Sequence, residues 1–229
     1  MFLDQLFNII FPMVCLGCKK YVAGGTVICS DCFQKISRNQ KLFCGKCRAR
    51  LPDGKKICHS DFPYLLGAVG SYGDEILQNL IHALKFNYVK LAASPLGKLL
   101  IDYVTGLNLE PEKFIVLPIP LSKQRLRKRG FNQAELIAKI FAEHFELPIL
   151  SGALERTKHT KPQSETKGLS ERNENVSGCF IVTRPESIAG KNILLIDDVI
   201  TSGATLLAAA TVLKNAGARK IIALAMAKA

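Results

Sequence analysis

Residues 193–205 read Ile193-Leu-Leu-Ile-Asp197-Asp198-Val-Ile-Thr201-Ser202-Gly203-Ala-Thr205. Four consecutive aliphatic residues are the run of a strand buried on both faces, and two adjacent carboxylates follow at its carboxyl end, where an open parallel sheet meets its ligand. A Thr-Ser-Gly-x-Thr turn comes next and leads into the helical run ATLLAAATVLKNAG, residues 204–217. Backbone N–H groups and hydroxyls of such a turn converge on an anion at the helix N-terminus, and Gly203 lets the backbone approach closely. Carboxylates repel a phosphate at short range. The conflict disappears if Asp197 and Asp198 face sugar hydroxyls while the turn faces the phosphate, which describes a ribose 5-phosphate. The competing reading has the two acids only capping a helix after a buried strand.

Working outward, FIVLPIP (114–120) is a short buried-strand pattern ended by Pro118 and Pro120, and KIIALAMA (220–227) is a final strand. Helical spacing joins Ile76, Leu80, Ile81, Leu84 and Phe86, and further helices are expected over 91–104 and 134–145. Strands alternating with helices predict an α/β fold built on a parallel sheet. Between Ser122 and Gly130 lie Lys123, Arg125, Arg127, Lys128 and Arg129; outside this run, the chain from Gly67 carries sixteen basic and fifteen acidic residues. Nearly all of that region's excess charge is therefore in one place, suited to bidentate contact with a diphosphate or to a polyanion, against the plainer reading of a solvated helix start. Glu155 to Asn175 is polar and aperiodic, a candidate mobile loop.

Upstream the texture changes. Seven of eight cysteines fall between Cys15 and Cys58, as Cys15-x2-Cys18-x10-Cys29-x2-Cys32 and Cys44-x2-Cys47-x10-Cys58. A shift of 29 residues superposes the first set on the second, with Asp61 in the place of a fourth cysteine. Paired CxxC knuckles at this separation are zinc-ribbon spacing. Zinc is expected at Cys15, Cys18, Cys29 and Cys32; a second ion at Cys44, Cys47 and Cys58 needs an oxygen from Asp61 or a nitrogen from His59. Pairing of the knuckles in sequence or interleaved is left open by spacing, and a disulfide framework is the competing reading. Cys179 stands alone and reads as a buried apolar residue. Residues 1–66 then form an N-terminal helix and ribbon domain, and 67–229 the α/β domain. Met1 to Val14 has one apolar face but no basic n-region and no small-residue cleavage site, so a packing helix is preferred to a signal peptide or anchor. No run of about 20 apolar residues predicts a membrane span. The 229 residues carry a net charge of +12, which favours polyanionic partners, and 48% hydrophobic content excludes disorder.

The segment 193–205 resembles the phosphoribosyl pyrophosphate motif of type I phosphoribosyltransferases. That resemblance implies that Asp197 and Asp198 hold the ribose 2′- and 3′-hydroxyls and serve catalysis, that Thr201, Ser202, Gly203, Ala204 and Thr205 cradle the 5-phosphate, and that Val199 and Ile200 supply turn backbone. It also implies Mg²⁺ with phosphoribosyl pyrophosphate, a loop over the site bearing Lys158, Lys161 and Arg172, and diphosphate contacts from Arg127 or Arg129. Taken with the double-knuckle ribbon, ALKF, P-I-P, R-K-R-G-F-N-Q-A and a loop carrying Gln163, Leu169, Arg172 and Asn175, the chain is similar to the ComF/GntX group of competence proteins. Asp61, where that group has an eighth ribbon cysteine, is the departure.

The resemblance implies a bacterial cytoplasmic protein, or one peripheral at the inner membrane, that assists natural transformation by handling incoming single-stranded DNA. Arg125, Arg127, Lys128 and Arg129, with a ribbon of net charge +6, would grip DNA phosphates, and Phe131 is a candidate base-stacking ring set against a core role. Two other classes stand beside this reading: an active phosphoribosyltransferase, and a zinc-ribbon adaptor whose ribose-phosphate site switches binding of a DNA-uptake helicase or recombination protein. No acceptor-base pocket is visible, and only the ribbon is left to cover the site.

Overall fold

The computed structural model describes residues 13–52, 58–107, 109–157 and 178–229. The expected N-terminal helix face before Met13 and the loop residues Lys158, Lys161, Gln163, Leu169, Arg172 and Asn175 lie outside them. In chain order the elements are α1 (Ser30–Lys35), β1 (Phe43–Cys44), β2 (Leu65–Ser71), α2 (Glu75–Lys85), α3 (Ala93–Thr105), β3 (Ile115–Pro118), α4 (Lys123–Arg129), α5 (Gln133–His144), β4 (Leu154–Arg156), β5 (Phe180–Val182), β6 (Asn192–Ile200), α6 (Ala204–Asn215) and β7 (Lys220–Lys228).

One sheet, ordered β1-β2-β7-β6-β3, organises the molecule. Its four main strands run parallel, as the alternation of strands and helices predicts, and β1 joins antiparallel at the edge. Side chains alternate across the pleat. Leu194 and Ile196 of β6 with Ile222, Leu224 and Met226 of β7 therefore pack under α2, α3 and α5, while Ile193, Leu195, Ile221, Ala223 and Ala225 pack under α6 and the β4–β5 hairpin. Both faces are covered, and β6 and β7 accordingly read as continuous apolar runs.

β2 lacks that signature because it carries glycines. A Cβ at Gly67 would strike Leu224 and one at Gly70 would strike Leu77, so close packing there requires the missing side chain. The expected boundary between residues 66 and 67 falls inside this strand, and β1, from the ribbon, pairs directly with it. Phe131 is a core residue, only 8% exposed; it is buried in one cluster with residues of α3 and α5, which favours the core role over base stacking.

Candidate functional site

β3 and β6 stay in register only to Pro118 opposite Ile196, after which Ile119 donates one more hydrogen bond to the Ile196 carbonyl. β6 continues alongside β7 as far as Ile200 opposite Lys228. Asp197, opposite Ala225 of β7, and Asp198 after it thus lie beyond the last β3 pair, at the carboxyl end of the β3–β6 crevice. Val199 and Ile200, expected in the turn, are the last ladder residues of β6. Both are β-branched, and the partner strand runs far enough to hold them in the sheet.

Asp198 is buried, and its two carboxylate oxygens each lie 3.3 Å from Lys85 Nζ at the end of α2. Its Oδ1 also accepts the Val199 N–H at 2.8 Å, and Asp197 Oδ1 accepts the Asp198 N–H at 2.8 Å. Burial, then the neighbouring Asp198 charge, pushes the Asp197 carboxyl up to about 7, against opposing pulls from Lys85, the Asp198 N–H and Arg156. Asp197 shares a shallow depression with Thr201, Gly203 and Thr205. The acid and the turn therefore open on one space.

The basic run divides by helical geometry. α4 is capped by the Ser122 hydroxyl, which accepts the Arg125 N–H, and closed by Gly130 in the left-handed region. Arg125 and Arg129, one turn apart, are half-buried, while Lys123, Arg127 and Lys128 are exposed. Burial, chiefly, lowers Arg129 from the usual guanidinium range, and the Asp198 charge opposes it. The Arg129 guanidinium lies 5.9 Å from the Phe86 ring, and Lys85 Nζ also lies 5.9 Å from it. Arg156, on β4, is likewise lowered by burial and by Arg125, with Asp197 opposing. Lys85, Arg129 and Arg156 thus form a cationic rim about the acid pair. Sequence reasoning found Arg129 alone of these, because a lysine in a helix's last turn reads as a dipole complement and Arg156 as part of a loop.

The cysteines pair in sequence order. Cys15, Cys18, Cys29 and Cys32 form one cluster; Cys44, Cys47, Cys58 and His59 form the other, with ligand atoms within 4.8 Å of one another. Asp61 is exposed and outside the cluster, and His59 Nδ1, 3.4 Å from Cys44 Sγ, takes the place expected of it. Sulfur separations of 3.7 Å (Cys15 to Cys29) and 3.8 Å (Cys18 to Cys29) match the ~3.8 Å edge of a tetrahedron with Zn–S of about 2.3 Å. All eight cysteines are free thiols, against the disulfide reading. Burial pushes Cys15 and Cys44 up, yet backbone N–H donors, with those of Cys29 and Cys47 foremost, bring both to about 6. Burial first, then its sulfur neighbours, push Cys32 up to about 12; Cys44 and Cys47 chiefly push Cys58 up to about 11. Crowded thiolates repel, and a divalent cation among them relieves this.

Parallel sheet, acid pair and hydroxyl turn define a phosphoribosyltransferase-type α/β domain joined to a double Cys ribbon. Comparison with known proteins agrees: the phosphoribosyl transferase domain model matches residues 128–229 and the double zinc ribbon domain model residues 6–60. DNA utilization protein YhgH of Shigella flexneri is 30% identical over 222 residues, covering 92% of this chain and 94% of that protein. Competence protein F of Haemophilus influenzae is 27% identical over 94% of this chain and 90% of its own length. Competence protein ComFC of Bacillus subtilis is 41% identical over 47% of this chain and 41% of its own. An allosteric regulatory enzyme of purine biosynthesis overlays with a TM-score of 0.40 at 22% identity, on 60% of this chain and 26% of that one. The chain belongs to the ComF-type family of competence and DNA-utilization proteins, which join a double zinc ribbon to a phosphoribosyltransferase domain. Among the described residues no helix is long and apolar enough to cross a membrane.

Proposed function

We propose that this protein is a competence-type accessory in DNA utilization that binds phosphoribosyl pyrophosphate, or a related ribose phosphate, and handles single-stranded DNA. The observation that carries the reading is the depression that Asp197 shares with Thr201, Gly203 and Thr205, next to an acid pair that Lys85 contacts at 3.3 Å and whose charge acts on Arg129 and Arg156. Carboxylates accept from the ribose hydroxyls, the turn and the α6 N-terminus hold the 5-phosphate, and the rim faces the diphosphate, with which Mg²⁺ travels. DNA phosphates meet the outward Arg127 and Lys128. Phe86, 53% exposed, and Tyr88, 44% exposed, stand beside Arg129 and take the stacking role that Phe131 does not.

Calorimetric titration with phosphoribosyl pyrophosphate and Mg²⁺, and separately with a short single-stranded oligonucleotide, tests both halves. Asp197→Asn with Asp198→Asn abolishes the first binding, and Phe86→Ala weakens the second by roughly 5- to 100-fold, the worth of one stacked base. Wild-type protein silent to both ligands ends the proposal. A second reading, transfer chemistry, is favoured by the placement of the acid pair beside the hydroxyl turn and against Lys85, where burial and the Asp198 charge push the Asp197 carboxyl up to about 7. Pyrophosphate release with a panel of bases and amines decides it.

A further inference from the structure

The two knuckles share a backbone turn. Lys19, which follows Cys18, and Arg48, which follows Cys47, occupy equivalent places 29 residues apart in the Cys repeat. Both have positive φ, 63° and 60°, and both donate an N–H to the first cysteine of their knuckle, Cys15 and Cys44. The side chains differ in destination. Lys19 is exposed and its Nζ returns to the Leu16 carbonyl, whereas Arg48 crosses to the other domain and its Nη2 donates to the Ser202 carbonyl at 3.0 Å.

Arg48 thus lies against the centre of the hydroxyl turn. A Cβ at Gly203 would overlap Arg48 Nη2 and would crowd the Tyr64 hydroxyl. Arg48 Nη1 is buried and has no hydrogen-bond partner among the described residues. A guanidinium placed beside the N-terminus of α6, with one nitrogen anchored to the turn and the other unspent, is a built anion donor. We propose that Arg48 of the second zinc knuckle completes the phosphate cradle, so that the ribbon is a working part of the ribose-phosphate site. The proposal rests on the ribose-phosphate reading above: Nη2 fixes the guanidinium to Ser202, and Nη1, buried and without a partner among the described residues, is the donor that a 5-phosphate seated in the turn would satisfy.

Ribose 5-phosphate, titrated calorimetrically into zinc-loaded protein, is the probe, with zinc content measured on every variant. Arg48→Asn keeps a residue that tolerates positive φ and removes the guanidinium; its affinity falls about 10- to 100-fold, the worth of a charge-assisted hydrogen bond, with zinc content unchanged. Lys19→Asn, the same change in the first knuckle, leaves affinity at the wild-type value. Arg48→Lys, which keeps the charge but not the fork, recovers part of the loss. Equal binding by Arg48→Asn and wild type overturns the proposal and leaves the ribose-phosphate reading standing, as does an equal loss in Lys19→Asn, which makes the effect one of net charge. No binding by the wild type overturns both.

Discussion

Asp197 concentrates the site's electrostatic conflict. An unfolded aspartate titrates near 3.9, whereas burial and the Asp198 charge push this one up to about 7. Between those values the folded chain holds a proton that the unfolded chain has released, so stability falls as pH rises through that window. Asp197→Asn removes the ionisation. The variant therefore melts higher than wild type at pH 8, by something below ~4 kcal/mol, and the gain shrinks to nothing near pH 4. An equal gain at both pH values in thermal melts would show that burial of charge is not its source. The same substitution costs ribose-phosphate binding, the exchange of stability for function expected where acids are kept for a ligand.

At the scale of elements, α4 separates two tasks by one helical period. Arg125 and Arg129 are half-buried, and Arg129 feels the Asp198 charge, while Arg127 and Lys128 face water, so Arg127→Glu with Lys128→Glu should weaken single-stranded DNA binding and flatten its salt dependence by about 0.7 per lost phosphate contact, leaving ribose 5-phosphate affinity unchanged. A parallel loss of both affinities in salt-series titrations would contradict the division. The elements that sequence reading recovers are those with a local signal: the periodic faces of α2, α3, α5 and α6 and the apolar runs of β3, β6 and β7. β2 escapes it because its packing demands Gly67 and Gly70, which erase the strand pattern. Lys85 and Arg48 escape it for another reason. Their partners, Asp198 and Ser202, lie 113 and 154 residues away in the chain, and no spacing rule relates a side chain to so distant a carboxylate or carbonyl. His59 displaces Asp61 for a geometric reason of the same kind, since the 29-residue repeat fixes three ligands and only the folded turn decides which neighbour supplies the fourth.

Across the whole molecule the ribbon is built into the core instead of hanging from it. Cys15, Val22, Val27, Ile28, Cys32 and Ile36 are buried with α2 and α3 on one face of the sheet, while Phe43 and Tyr64 are buried with α6 on the other. Hydrogen bonds reinforce this, with Asn39 N–H donating to the Val69 carbonyl at 2.7 Å and the Tyr103 hydroxyl to the Lys41 carbonyl at 2.8 Å. A structural zinc contributes on the order of 10 kcal/mol, comparable with the roughly 5–15 kcal/mol that holds an entire domain folded. Removing it from a knuckle that shares the common core should therefore cost the sheet its stability too. On titration with a tight zinc chelator, the helical far-ultraviolet signal and the near-ultraviolet tyrosine signal should fall together in one transition, with the midpoint of thermal unfolding lowered by more than 10 °C, taking about 2–4 °C per kcal/mol for a chain of this size. Complete release of zinc with the helices melting at their original temperature would mean that the α/β domain stands without the ribbon and that their shared core is a contact of convenience.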